Sequence, residues 1–336
     1  MVPSWRKRVA YFVFINLICI ALILISVEGA ARAFLVFTRG TSTIGLRQRT
    51  RYLQYQPFVM FGENWDTQLD PSRYPKAPGP RGKYRILLLG GSAAADFPPQ
   101  ILEAAFAEKF KNREFEVINA AYGGYNARQE LILASIWAPP LAPDMIISLD
   151  GSNDLELRLR TKRSGTFYPD SAYELALTRP FLTPLAHLLR YSQAVQGMQR
   201  FVAHEQIGSV DKYVDAIPVY LSAQHSLNAL ARGLPATRII VLQPFRIFKH
   251  PLSEAEKNFQ LYRYREAVMR QLYDMLHQRL QTLAQEDRVL YVNGCSAFDG
   301  HTETIFSDDV HFLSDEGYRL LAKHIVHFVT EEMLQK

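Results

Sequence analysis

Five short apolar runs recur along the chain, and three of them give way to turns rich in glycine, serine or asparagine. They are Tyr84–Leu89 (YRILLL), Phe115–Ala121 (FEVINAA), Asp144–Leu149 (DMIISL), Arg238–Gln243 (RIIVLQ) and Val289–Asn293 (VLYVN). Runs this short and this apolar are strands buried on both faces. Helical patterns lie between them over Ile101–Phe110 and about Arg128–Trp137, and Ser314–Leu334 closes the chain as a further helix. Strands alternating with helices predict an α/β fold, three layers deep, with a parallel five-stranded sheet at its centre. In such sheets ligands gather at the carboxyl ends of the strands. No internal repeat or low-complexity tract interrupts the pattern.

The N-terminus follows a different rule. Val9 to Val27 is apolar except for Asn16 and Ser26, and its nineteen residues approach the roughly 20 helical residues needed to cross a bilayer. Arg6, Lys7 and Arg8 precede it, which favours a cytoplasmic N-terminus and an exported remainder, although Arg32 and Arg39 follow with only Glu28 to offset them. The competing reading is a signal peptide cut after Ala31-Arg32-Ala33, against which stands a run longer than the usual 7–15 residues. Cys19 sits mid-segment without a small residue before it, unlike a lipoprotein cysteine. The expectation is therefore an N-terminal transmembrane helix, with residues 1–40 as cytoplasmic stub and single-pass anchor, in contact with the lipid bilayer through residues 9–27.

Residues 41–83 lack sustained periodicity and carry Pro57, Pro71, Pro75, Pro78 and Pro80 among aromatics. They are expected to be a juxtamembrane connector whose aromatic half packs on the domain that follows, over 84–336. Within that domain about ninety residues separate the third and fourth strands, and 155–202 reads as an insertion. It holds Arg158, Arg160, Lys162 and Arg163 beside aromatics, and is either a helical pair on the sheet edge or a lid over the site. With 48% apolar and 21% charged residues the chain buries a full core, and its net charge of +5 is scattered rather than gathered into the basic stripe of a nucleic-acid surface. Cys19 and Cys295 lie far apart, so neither a disulfide nor a zinc site is expected.

Four motifs stand where strands end. Gly90-Gly91-Ser92 exposes a hydroxyl at a strand-to-helix turn. Asn119-Ala120-Ala121-Tyr122-Gly123-Gly124 brings backbone N–H groups within reach of a ligand. Gly151-Ser152-Asn153-Asp154 offers a side-chain amide to an oxyanion, the charge that develops when a carbonyl is attacked. Asp308-Asp309-Val310-His311 spaces a carboxylate so that it can curl back onto one imidazole nitrogen and leave the other free as a base. Each is also ordinary turn chemistry. His301, His324 and His327 lack that spacing.

Taken in order, the four motifs resemble the SGNH (GDSL-like) hydrolase family, over roughly Tyr84 to the C-terminus and with Leu155–Val202 poorly matched. The resemblance implies the flavodoxin-like SGNH hydrolase fold, Ser92 as nucleophile, and Asp308 and His311 as the Asp-x-x-His pair. The oxyanion hole would be the Ser92 and Gly124 amides with the Asn153 side chain; Gly123 is the alternative to Gly124. The stretch Phe312–Tyr318 also matches the family's close, with Ser314 suited to cap the last helix. Two departures stand out: the family's Gly-Asp-Ser is here Gly90-Gly91-Ser92, and the usual following glycine is replaced around Ala95-Asp96.

The resemblance implies an ester hydrolase that removes short acyl groups, O-acetyl above all, from a carbohydrate or another envelope substrate, with no metal or cofactor and no nucleic acid. Two readings stay open beside it. One is an acyltransferase using the same residues with a sugar hydroxyl in place of water, and the other is a catalytically silent carbohydrate-binding or scaffold protein. Anchor and family together place the protein in a bacterial inner membrane with the catalytic domain outside.

Overall fold

The computed structural model describes residues 5–39, 55–56, 58–63, 65–74, 83–161, 192, 209–258 and 266–335. Contacts divide the chain into two compact units. One comprises Met1–Thr50 and Pro169–Gln206, and the other Arg51–Tyr168 and Ile207–Lys336.

The first unit is described through one helix, α1 (Trp5–Arg39). Within it Phe12–Phe34, 23 residues of mean hydropathy 2.4, is long and apolar enough to cross a membrane. Phe12, Leu22 and Ile25 stand exposed on it. Glu28 pairs with Arg32 one turn on and also accepts a hydrogen bond from Ser192.

The second unit carries the sheet: β1 (Lys83–Gly90), β2 (Glu114–Asn119), β3 (Met145–Asp150), β4 (Thr237–Leu242) and β5 (Leu290–Asn293). All neighbours pair in parallel in the order β2-β1-β3-β4-β5. The connecting helices are α2 (Pro99–Lys109), α3 (Ala127–Leu141), α4 (Ser152–Thr161), α5 (Ala216–Gly233), α6 (Glu266–Asp287) and α7 (Asp315–His327). Alternation along β4 shows why both faces are covered. Ile239 and Val241 join the core under α2 and α7, whereas Ile240 and Leu242 join the core under α5 and α6. The α/β fold expected from the five apolar runs is thus present, with helices on both sides of a five-stranded parallel sheet.

Because the chain runs from β1 outward to β2 and then back across to β3, the strand order reverses between β1 and β3. A crevice opens there at the carboxyl ends, and the segments after Gly90 and Asp150 emerge beside it.

Boundaries differ from the sequence expectation for identifiable reasons. β2 stops at Asn119, whose side-chain oxygen accepts the Ala121 N–H at 3.0 Å and turns the chain out of the sheet. The last helix stops at His327, and a separate 3₁₀ turn follows over Glu331–Leu334. There the Lys109 ammonium donates to the carbonyls of Val326, His327 and Val329 at 2.7–2.9 Å, taking up groups a longer helix would have used. Ser314 does cap α7, accepting the Glu316 N–H. Of the connector, Val59, Trp65 and Leu69 are buried in this unit, and Gln129 of α3 donates to the Val59 carbonyl at 2.8 Å. Most of the 155–202 segment lies outside the described residues; its beginning is the end of α4.

Candidate active site

β1 ends in two glycines that nothing larger could replace in this geometry. Gly90 has φ +152°, and a Cβ there would lie 2.4 Å from the Leu149 carbonyl oxygen on the adjoining strand. A Cβ on Gly91 would lie 2.2 Å from the Asn153 side-chain nitrogen. The chain then makes a single helical turn, Ser92–Ala95, with Ser92 half-buried at its start. That turn is fastened from β2. Asn119 donates to the carbonyls of Ala94 (2.8 Å) and Phe97 (3.1 Å), while the Tyr122 N–H returns to the Gly90 carbonyl at 3.0 Å.

Asn153 lies in the first turn of α4, and its amide donates to the Tyr125 carbonyl at 2.8 Å. This leaves the second N–H of the same amide uncommitted to that bond, against the backbone of Gly91. The neighbouring Asp154 accepts the Ala127 N–H at 3.2 Å. Adjacent residues of one turn therefore clamp the segment that follows Gly123 and Gly124. Trp65 holds the same segment from outside: its indole donates to the Tyr125 hydroxyl at 3.1 Å, and its ring packs on Tyr122 at 6.0 Å. Gly123 is buried, whereas Gly124 is half-buried with φ +85°.

The fourth motif folds into a tight loop closed by the Phe306–Phe312 bridge and by the Ser307 N–H on the His311 carbonyl. One Asp308 oxygen accepts the N–H groups of Val310 and His311, both at 2.8 Å, and the other meets His311 Nδ1 at 2.7 Å. The curl expected from the spacing is what forms. Nε2 of His311 is buried and has no hydrogen-bond partner. Burial pushes the Asp308 carboxyl up, but the His311 bond and charge and the two backbone N–H groups outweigh it and leave it below 3.8. Burial pushes the His311 imidazole down. The bond and charge of Asp308, with the charges of Asp96 and Glu156, overcome that and raise it above 6.5. Asp96, one of the pair standing where the family's usual glycine is missing, contributes to that rise.

A charged network sets the loop's position. Arg246 binds Asp309 at 2.7 Å with both side chains buried, and donates to the Glu256 carbonyl at 2.8 Å. Glu256 accepts the Ile305 and Phe306 N–H groups on one oxygen, and Ser253 N–H and Lys249 Nζ on the other. Lys249 and Glu256 are both fully buried. Arg246, Lys249 and Glu256 were not singled out in the sequence. Arg246 and Glu256 act on a segment some fifty to sixty residues onward, and no local spacing announces them.

Rings join the two sides. Phe97, just past the Ser92 turn, packs on Tyr318 at 5.1 Å, and Tyr318 meets Phe312 beside His311 at 4.8 Å. Ser92 and His311 are not hydrogen-bonded to each other, and bonds of this kind often tighten only once substrate is bound. Two other histidines noted from sequence are engaged elsewhere: His301 with Glu303, and His324 with the Asn293 carbonyl. Beside the His311 loop lies a shallow depression lined by Phe245, Ile247, Met269, Glu156 and Asp309.

No protein-family model matches the chain, and no curated protein matches its sequence. Among solved structures it is similar to a candidate acylhydrolase from Bacteroides fragilis, at 14% identity and a TM-score of 0.47 over 80% of this chain and 96% of that one. It is also similar to an acetyl xylan esterase variant from Geobacillus stearothermophilus, at 14% identity and a TM-score of 0.44 over 73% and 94%. A GDSL-like lipase from Bacteroides thetaiotaomicron matches at 12% identity and a TM-score of 0.42 over 77% and 97%.

Proposed function

We propose that the protein is a serine esterase that removes short acyl groups through an acyl-enzyme, with Ser92 as nucleophile and His311 as base. The observation that carries the reading is the His311 imidazole. Asp308 occupies its Nδ1 and fixes the tautomer, while Nε2 is buried without a partner in a loop built to hold it. A buried polar atom without a partner is costly, and a substrate-bound hydroxyl or a proton in flight is what such an atom is arranged to meet.

In this mechanism Nε2 takes the Ser92 proton as Oγ attacks the ester carbonyl carbon. The resulting oxyanion is held by the Ser92 and Gly124 amides and by the free N–H of Asn153. As the tetrahedral adduct collapses, the alcohol leaves with the proton from Nε2. Water then enters and attacks the acyl carbon as Nε2 takes its proton, and collapse of this second adduct releases the acid while Nε2 returns the proton to Ser92 Oγ. Asp308 stabilises the imidazolium throughout.

The exposed apolar stretch of α1 supports a membrane anchor, and the arginines and lysine before it support a catalytic unit facing away from the cytoplasm. An acylated carbohydrate of the cell envelope is the substrate class this placement favours.

The test is hydrolysis of p-nitrophenyl acetate, and of acetylated xylan, by the full chain in detergent. Turnover should fall with acyl length and vanish in Ser92→Ala and His311→Ala. Equal turnover in all three proteins would remove the mechanism. Product formation only when a sugar acceptor is supplied would replace water by a hydroxyl and make the enzyme an acyltransferase.

A further inference from the structure

Directly beneath the Asn153 turn, three carboxyl side chains are buried together: Glu130 on α3, Asp150 at the end of β3 and Asp154 on α4. The charged and titratable groups facing them are few. From β4 comes Arg238, whose guanidinium is already bound to Ser148 and to the Gln224 oxygen at 2.7 and 2.6 Å. From α5 come Tyr220 and Gln224, which donate to the two oxygens of Asp150 at 2.5 and 2.7 Å. Arg128 acts on Asp154 from the exposed side of α3. Three carboxylates would thus face one buried cation.

Glu130 is the odd member. It is fully buried, and neither of its oxygens meets a hydrogen-bond donor. An ionised carboxylate in that position would be a buried charge without a donor, pressed against another carboxylate. A protonated one has an acceptor waiting, because the Asp150 carboxyl lies within hydrogen-bonding reach.

We infer that Glu130 is carried as a neutral acid donating to Asp150, and that this shared proton makes it a positioning residue for Asn153. Burial, then the Asp150 charge and the bond to it, hold the Glu130 carboxyl well above its usual range. Asp150 is itself raised by burial, but its two oxygens already accept from Tyr220 and Gln224 whereas those of Glu130 meet no donor, so the proton stays on Glu130. Asp150 is the last residue of β3, and Gly151-Ser152-Asn153 departs from it. If Glu130 ionises, two like charges come into contact at the root of that turn and move the amide that would bind the oxyanion. The protonation stands by itself; the effect on Asn153 rests on the esterase reading.

Infrared difference spectroscopy of the full chain tests the proton without any assay. Because burial and the Asp150 charge also hold Asp154 well above its usual range, the spectra are taken on an Asp154→Asn background, where at neutral pH the carbonyl stretch of a protonated carboxyl should be present and should disappear on adding Glu130→Gln. In Asp150→Asn, should the first variant fold poorly, the band should shift because its acceptor is no longer charged. Absence of the band in the folded parent, or its persistence in Glu130→Gln, overturns the inference. The positioning role is read from kcat against pH. The parent should lose rate on the alkaline side as Glu130 ionises, and Glu130→Gln, whose amide donates to Asp150 at every pH, should lack that fall. Identical alkaline limbs would overturn the positioning role. A parent with no hydrolysis would strike the esterase reading, and the infrared band would still decide the proton.

Discussion

The Ser92 turn and the His311 loop are joined through the rings of Phe97, Tyr318 and Phe312, yet they are held in place by different physics. Around Ser92 and Asn153 the fixing agent is contact. Two glycines bring backbone against a neighbouring strand and a side-chain amide, with no room for a single added carbon. Around His311 it is charge: a buried Arg246–Asp309 pair, a buried Lys249–Glu256 pair and the Asp308 carboxylate fasten the loop. Contact of that kind is intolerant of volume, and pH enters it only through the buried Glu130 beneath the Asn153 turn. A charge network tolerates small changes of shape but depends on every partner keeping its ionisation. Under the proposed mechanism, the half that would bind the oxyanion is the sterically locked one, and the half that would move a proton is the electrostatically tuned one.

The largest effect should come from removing the reacting atoms. Ser92→Ala and His311→Ala should each lower kcat by roughly 10⁴- to 10⁶-fold, and the double variant should lose little more, since the two act as a unit. Steady-state rates with p-nitrophenyl acetate measure this, and additive losses would separate the two residues.

Breaking the charged half comes next. Arg246→Met strands a buried Asp309 and should cost about 3–5 kcal/mol of stability in denaturant unfolding. A cost below about 1 kcal/mol, the range of surface pairs, would show that the network does not hold the loop.

Breaking the steric half should spare stability more than rate. Gly91→Ala and Asn153→Ala should each reduce kcat by about 10²–10³, the cost of one oxyanion donor, with KM nearly unchanged. Combining them should cost no more than the larger single loss, because both remove the same amide from its place. Near-normal turnover in Asn153→Ala would take that side chain out of the mechanism.

The smallest effect is the most specific to the tuned half. His311 must be neutral to act as base, and its value is raised above 6.5, so the rate should climb with pH through an inflection above 6.5. Asp96→Asn and Glu156→Gln each remove a charge that raises it, so each should move that limb to lower pH, by a shift that shrinks with added salt. The linked stability runs the opposite way. The His311 contribution is present below 6.5 and lost as pH rises through the raised value; the Asp308 contribution is lost as pH falls through its lowered one. An unmoved limb in both variants would mean that these carboxylates do not act on the imidazole.

How much of this was legible beforehand follows the same division. The five strands could be read because residues buried on both faces leave continuous apolar runs. The Asp308–His311 contact could be read because three residues of separation constrain it locally. Ser92, Gly124 and Asn153 could be placed at strand ends, and the strand order then brings the segments carrying Ser92 and Asn153 to one crevice. What stayed hidden is non-local. Lys109 ends a helix 218 residues away, Trp65 reaches from the connector to Tyr125, and Arg246 and Glu256 hold a loop some fifty residues onward. Glu130, Asp150 and Asp154 are unremarkable acids in sequence. Only the fold shows that they share a buried space with a single buried guanidinium.

The most direct measurement is covalent labelling of the full chain with a small organophosphonate ester that traps activated serines, followed by peptide mass spectrometry. The account predicts one adduct, on Ser92 and not on Ser152, which is lost in Ser92→Ala and formed far more slowly in His311→Ala. An adduct on another serine, or labelling of Ser92 at the same rate without His311, would contradict it.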